Sequence, residues 1–165
     1  MKQLHKVYIA VGTNLGDKYQ NIYDAYKLIQ NQIGNITSKS HIYITKPWGF
    51  NSTSDFYNSV IEVYTYKTPK DLLTALKHIE NKMGRKPKMG NQYESRVIDL
   101  DILSFEDIII NSEELTIPHP HIEKRNFVYY PFLDVCLNWI NPKTKVYLKT
   151  INKDENIKKF TKKKD

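Results

Sequence analysis

Within Ser95-Arg96-Val97-Ile98-Asp99-Leu100-Asp101-Ile102-Leu103, two carboxylates stand two residues apart in an otherwise apolar run. A β-strand turns successive side chains to opposite faces, so Asp99 and Asp101 are expected on one side and Ile98, Leu100 and Ile102 on the other. Like charges held side by side call for a cation between them. For oxygen-only ligands that cation is usually a divalent metal ion. Arg96, just upstream, is the residue type that grips phosphate oxygens with a planar fork. Taken alone, Asp-x-Asp is equally what two solvated acids on a strand would give.

The surrounding residues add weight to the phosphate reading. Glu80 is followed by Lys82, Arg85, Lys86, Lys88 and Arg96, a cationic stretch entering the strand that carries the acids. Metals bridging phosphate oxygens to Asp99 and Asp101, with arginines neutralising the remaining charge, would suit such a stretch. Some of these lysines are expected only to solubilise the chain. Ile117-Pro118-His119-Pro120-His121 holds two histidines in a stiffened loop. Without a companion His or Cys cluster it makes a poor zinc site, and a phosphate or substrate contact from His119 fits better. Arg125 and Phe127 then place a cation and an aromatic face close together. Between Thr45 and Asn58, Trp48 and Phe56 offer flat surfaces, although packing is the commoner use of Phe. Asn58 is unfavourable in a strand; buried, its amide needs partners that the polar edge of a heterocycle would supply. Gly12-Thr13-Asn14-Leu15-Gly16 lacks the Gly-Lys-Ser/Thr ending of a phosphate loop and reads as a structural turn.

The elements that must hold these residues follow from patterning. Val7–Val11 reads as a buried strand, and Lys18–Gln32 as a helix with Ile22, Ile29 and Ile33 at helical spacing, ended by Gly34. Ile36–Thr45 reads as one strand and Phe56–Tyr66 as another. Thr68-Pro69-Lys70-Asp71 is a strong helix start, and Leu72, Leu76, Ile79 and Met83 continue it to Gly84. Ile98–Phe105 carries the aspartates, Ile108–Ile110 is expected to pair with it as a hairpin, and a further helix is expected around Phe127–Leu137. Strand, helix, strand, strand, helix, strand is the split βαβ order of the ferredoxin-like α+β class (βαββαβ), here with an antiparallel sheet, an added hairpin and a C-terminal helix.

With 165 residues the chain has the length of one domain, and residues 1–149 are expected to form it. Met1–Lys6 lacks the apolar core of a signal peptide. The single cysteine, Cys136, cannot form an internal disulfide, and fits a cytoplasmic protein. Of the net charge of +7, most comes from residues 143–165, where nine lysines face three acids. Residues 150–165 are accordingly expected to be a basic, flexible tail. A basic arm on a ferredoxin-like sheet could also serve nucleic acid, but that reading gives two ligand-facing acids no purpose.

Five stretches in one order, YIAVGTNLGD, TKPWG, DFYNSV, RVIDLDIL and TIPHPHIEKRNFVYYPF, resemble the 6-hydroxymethyl-7,8-dihydropterin pyrophosphokinase family of folate biosynthesis. The resemblance spans Val7 to about Pro142. It implies transfer of the terminal diphosphate of ATP to the pterin hydroxymethyl group, with release of AMP and help from two magnesium ions. It further implies a monomer acting on two small molecules, with no membrane or nucleic-acid partner. Matched position by position, Asp99 and Asp101 correspond to the magnesium ligands, and Arg85 and Arg96 to the catalytic phosphate-binding arginines. Glu80, Ile102, Thr116, His119 and Arg125 correspond to the ATP side. Thr45, Pro47, Trp48, Phe56, Asn58 and Phe127 correspond to the pterin site, with Phe56 and Phe127 sandwiching the ring. The chain departs from the family pattern at Tyr93, Pro87, Glu114 and Lys77, where relatives carry tryptophan, arginine, arginine and glutamine.

Overall fold

The computed structural model describes residues 2–47, 53–86, 94–151, 153 and 161–162. The first strand, β1 (His5–Thr13), presents Val7, Ile9 and Val11 to one face. Helix α1 (Lys18–Gln32) packs Ile22, Ala25, Tyr26 and Ile29 against that face. The Asp17 carboxylate caps it by accepting from the Gln20 N–H at 3.0 Å. Next come β2 (Gly34–Lys39), β3 (Ile42–Thr45) and β4 (Phe56–Thr65). Helix α2 (Pro69–Lys82) begins on Thr68, whose hydroxyl accepts from the Asp71 N–H at 3.2 Å. Its Leu72, Leu76 and Ile79 join the same core. Strand β5 (Asp99–Phe105) follows, then the short pair β6 (Ile110–Asn111) and β7 (Thr116–Ile117), helix α3 (Asn126–Val135) and strand β8 (Thr161–Lys162).

The main sheet runs β5-β1-β4-β3-β8, with β2 also on β4, and every pairing in it is antiparallel. With β2 and β3 taken as one strand, this is the ferredoxin-like order. Helices α1 and α2 cover one face; α3 and the segment through Trp139 and Leu148 cover the other, around Tyr8, Val60, Leu103 and Phe132. Because α3 covers that second face only in part, the sheet is left open at the ends of β1, β4 and β5.

Three local expectations change. The stretch 36–45 is two strands: Ser40 accepts the Val60 N–H on its hydroxyl at 2.9 Å, a side-chain bond that interrupts the ladder. Residues 110–111 pair with β7 and not with β5, because the chain turns away at Glu106, in the left-handed region with φ 48°. Gly12 and Thr13 lie in β1, so the turn begins later than the glycine pattern suggests. The expected flexible tail falls mostly at residues 152, 154–160 and 163–165, which lie outside the described residues.

Candidate active site

On the open end of the second face, three strands set their side chains in rows. Gly12 of β1 lies between Asn58 of β4 and Asp99 of β5, and Ala10 lies between Val60 and Asp101. The two aspartates therefore do share a face, as the strand period requires, while Leu100 and Ile102 enter the core under the helices. A cleft opens over these rows. Thr45, Phe56, Asn58, Arg96, Asp99, Asp101, His119, Arg125 and Phe127 all line it. Residues scattered over more than 80 positions of sequence thus meet in one place.

Asp99 is gripped by both arginines. Arg85 Nη1 donates to its Oδ1 at 2.6 Å, and Arg96 Nη1 to its Oδ2 at 3.0 Å. Arg85 also donates to Glu80, whose carboxylate accepts the Leu100 N–H at 2.7 Å. Glu80 is therefore a strut from the end of α2 to the backbone between the two aspartates. Burial, then the charges of Asp99 and Glu80, push Asp101 up to about 7. Burial also raises Glu80, although Arg85 opposes the shift. Arg85 stays firmly charged despite its burial because Asp99 and Glu80 both favour the cation. His119 is driven down to about 4 by burial and by Arg125 and His121, so it is neutral at physiological pH.

On the opposite side of the cleft, Asn58 Nδ2 donates to the Thr45 hydroxyl at 3.0 Å, which fixes the amide and leaves Oδ1 over Gly12. Arg125 lies over the Phe127 ring at 5.7 Å. Ile102 does not line the cleft, since its side chain is in the core. Thr116 sits in β7, and Pro47 follows β3 beside Lys46. Trp48, like Pro87 and Tyr93, lies outside the described residues.

The sequence reading missed two parts of this arrangement. Asn14, almost fully buried, accepts the Arg96 N–H at 2.7 Å and donates to the Ser95 hydroxyl at 2.9 Å. Its carbonyl accepts from Ser54 at 2.6 Å. It thus joins the approach to β5 to the segment before β4, and its polarity within a tight apolar-flanked turn was the available signal. The other part is the small floor, Ala10 and Gly12, legible as side chains shrinking along one face (Tyr8, Ala10, Gly12) while the other face stays large.

Magnesium commonly takes one or two carboxylates and completes its shell with water and substrate phosphate. The residues present fit that habit: Asp99 and Asp101 supply oxygen ligands on one face, and no cluster of three or more His, Cys, Asp or Glu forms a ready cage among the described residues. Asp101, pushed up beside a second carboxylate, is where an added cation would relieve repulsion.

Carboxylates, arginines and a flat, partly aromatic cleft on a ferredoxin-like sheet define a phosphate-transferring enzyme with a planar acceptor. The model of the family "7,8-dihydro-6-hydroxymethylpterin-pyrophosphokinase (HPPK)" matches residues 8–137. The chain belongs to that family, whose enzymes transfer diphosphate from ATP to hydroxymethyldihydropterin in folate synthesis. It is 34% identical over 154 residues to the 2-amino-4-hydroxy-6-hydroxymethyldihydropteridine pyrophosphokinase of Aquifex aeolicus, covering 93% of this chain and 94% of that one. It is 42% identical over 136 residues to folic acid synthesis protein FOL1 of Dictyostelium discoideum, covering 82% of this chain but only 20% of that longer protein. The solved HPPK-DHPS of Plasmodium falciparum with pteroate superposes with a TM-score of 0.75 at 16% identity, covering 92% of this chain and 44% of that one. At that identity the likeness speaks for the fold.

Proposed function

We propose that this chain transfers the terminal diphosphate of ATP to 6-hydroxymethyl-7,8-dihydropterin, with Asp99 and Asp101 holding two magnesium ions. The observation that carries the assignment is the pair of rows across β4, β1 and β5. They set an amide that can read a heterocycle (Asn58) one strand away from the carboxylates that can hold a metal-bound phosphate. When bound, the metals supply charge neutralisation at the phosphates and a more acidic acceptor hydroxyl.

The chain's own residues do the rest. Phe56 and Phe127 stack the pterin, with Thr45 keeping the Asn58 amide oriented toward its polar edge. Pro47 belongs to that side; the stacking role expected of Trp48 falls outside the described residues. The acceptor oxygen attacks the β-phosphorus in line; its bond to phosphorus forms as the bond to the α-phosphate oxygen breaks, and AMP leaves. Arg85 and Arg96 exchange Asp99 for phosphate oxygens and stabilise charge that builds on the transferred group. Arg125 and neutral His119 contact the nucleotide, with Thr116 and the Ile102 backbone on the same side. Glu80 holds Arg85 and the β5 backbone in place. Among the described residues no side chain stands out as a general base, so the acceptor proton passes to solvent, and positioning and electrostatics supply the acceleration.

The same reading makes residues 1–149 the catalytic domain and 150–165 a basic tail. It has the protein working in the cytoplasm as a monomer on small molecules. No helix is long and apolar enough to cross a membrane among the described residues. Incubation with ATP, magnesium and 6-hydroxymethyl-7,8-dihydropterin should yield AMP and the pterin diphosphate in equal amounts. ADP with a pterin monophosphate, or no acceptor-dependent AMP, would overturn the assignment.

A further inference from the structure

Gly12 sits mid-sheet, paired on both sides, where glycine weakens a strand and gives nothing to packing. Its backbone does not require glycine either. Among the described residues the glycines in the left-handed region are Gly16 and Gly84, with φ 67° and 89°, and Gly12 is not one of them. A Cβ built on Gly12 would lie 3.0 Å from Asn58 Oδ1 and 4.0 Å from the Asp99 Cβ. The first is closer than ordinary contact, and its partner is a side-chain amide and not the backbone. Space, then, is what the glycine provides, and the space lies between the amide and the carboxylate on the floor of the cleft.

We infer that Gly12 is a specificity-determining residue for the acceptor. Its missing side chain lets a flat heterocycle lie low enough to reach Asn58 Oδ1 while its hydroxymethyl arm extends over Asp99. Ala10, the next residue on this face, continues the low floor toward Asp101. The Thr45 hydroxyl holds the other end of the Asn58 amide, so the amide cannot swing clear of a new methyl group without losing that bond. The effect falls on the acceptor and not on ATP, because the added Cβ crowds Asn58 Oδ1 at 3.0 Å but stands at ordinary contact, 4.0 Å, from the Cβ of the Asp99 that the arginines grip.

The inference rests on the acceptor assignment proposed above, and the test separates the two. Dissociation constants are measured for 6-hydroxymethyl-7,8-dihydropterin, with the nucleotide site filled by α,β-methylene-ATP, and for that analogue itself. Melting temperatures are recorded in parallel. Gly12→Ala should weaken dihydropterin binding about tenfold or more, as one unwanted methyl in a fitted pocket does, and Gly12→Ser further still. Both should keep the affinity for α,β-methylene-ATP within about twofold. Gly12→Ala should melt within about 3 °C of wild type, since the strain placed on the Asn58 amide is offset by the freedom alanine removes from the unfolded chain. Wild-type binding of dihydropterin by Gly12→Ala would overturn the inference, as would a melting temperature lowered by about 5 °C or more, which would make the glycine structural. Failure of the wild-type protein itself to bind dihydropterin would overturn the acceptor assignment first.

Discussion

At Asp99 two guanidinium groups converge on one carboxylate, and in the proposed reaction both turn from it to phosphate oxygens. Glu80 keeps Arg85 within reach while this happens, because its carboxylate is already anchored on the Leu100 N–H. Glu80→Gln retains an acceptor for that N–H but removes the charge facing Arg85. It should lower kcat by roughly 10–100-fold, the scale of a small misplacement of a reacting group, with a smaller effect on melting. Steady-state kinetics beside a thermal melt checks this; unchanged kcat would remove Glu80 from the positioning of Arg85. His119 supplies a pH signature. Its folded-state value near 4 lies below the ordinary 6.5, so between these limits the unfolded chain takes up a proton that the native site refuses. Stability should fall as pH drops from 6.5 toward 4, by up to about 3 kcal/mol from this residue. Urea unfolding at several pH values should show a shallower acid loss in His119→Gln; an identical slope would show that His119 is not its source.

Among the elements, β1 does most to organise the site, since it separates the strand carrying Asn58 from the strand carrying the aspartates. Its alternation was readable: large apolar residues at Val7, Ile9 and Val11 point to the helices, and β5 shows the same period with acids on its outer face. The end of β1 was less readable. Gly12 and Thr13 look like turn residues by propensity, yet pairing of Gly12 with both β4 and β5 and of Thr13 with β4 holds them in the sheet. The break at Ser40 was hidden for a related reason, because a hydroxyl replacing one ladder bond leaves the alternation of the flanking residues intact. Past β1, Asn14 acts as the hinge pin between two loops, a role made of non-local hydrogen bonds that spacing alone does not reveal. Asn14→Ala leaves the buried Arg96 N–H without its acceptor. It should destabilise the fold by about 2 kcal/mol and reduce kcat by releasing Arg96. Chemical denaturation and kinetics measured together would test it, and loss of stability with full activity would show that Arg96 needs no such anchor.

Across the whole molecule, the sheet has two differently used faces. The face under α1 and α2 is sealed with aliphatic side chains; the other is packed by aromatic residues from α3 and open at one end. That division made the fold class and most of the site legible from sequence, since apolar period and capping marked the elements and Asp99, Asp101, Asn58 and Phe127 fell on strands and a helix. What the period could not convey was how far α3 covers the second face, and therefore where the cleft begins. In the proposed reaction that cleft joins a metal-bound nucleotide to a pterin through Asp99 and Asp101. The most direct test is a single-turnover measurement of AMP release by Asp99→Ala and Asp101→Ala across a magnesium titration, with circular dichroism confirming the fold. Both variants are predicted to release AMP at least about a thousandfold more slowly than wild type at every magnesium concentration. AMP release at the wild-type rate by either variant would contradict the metal assignment.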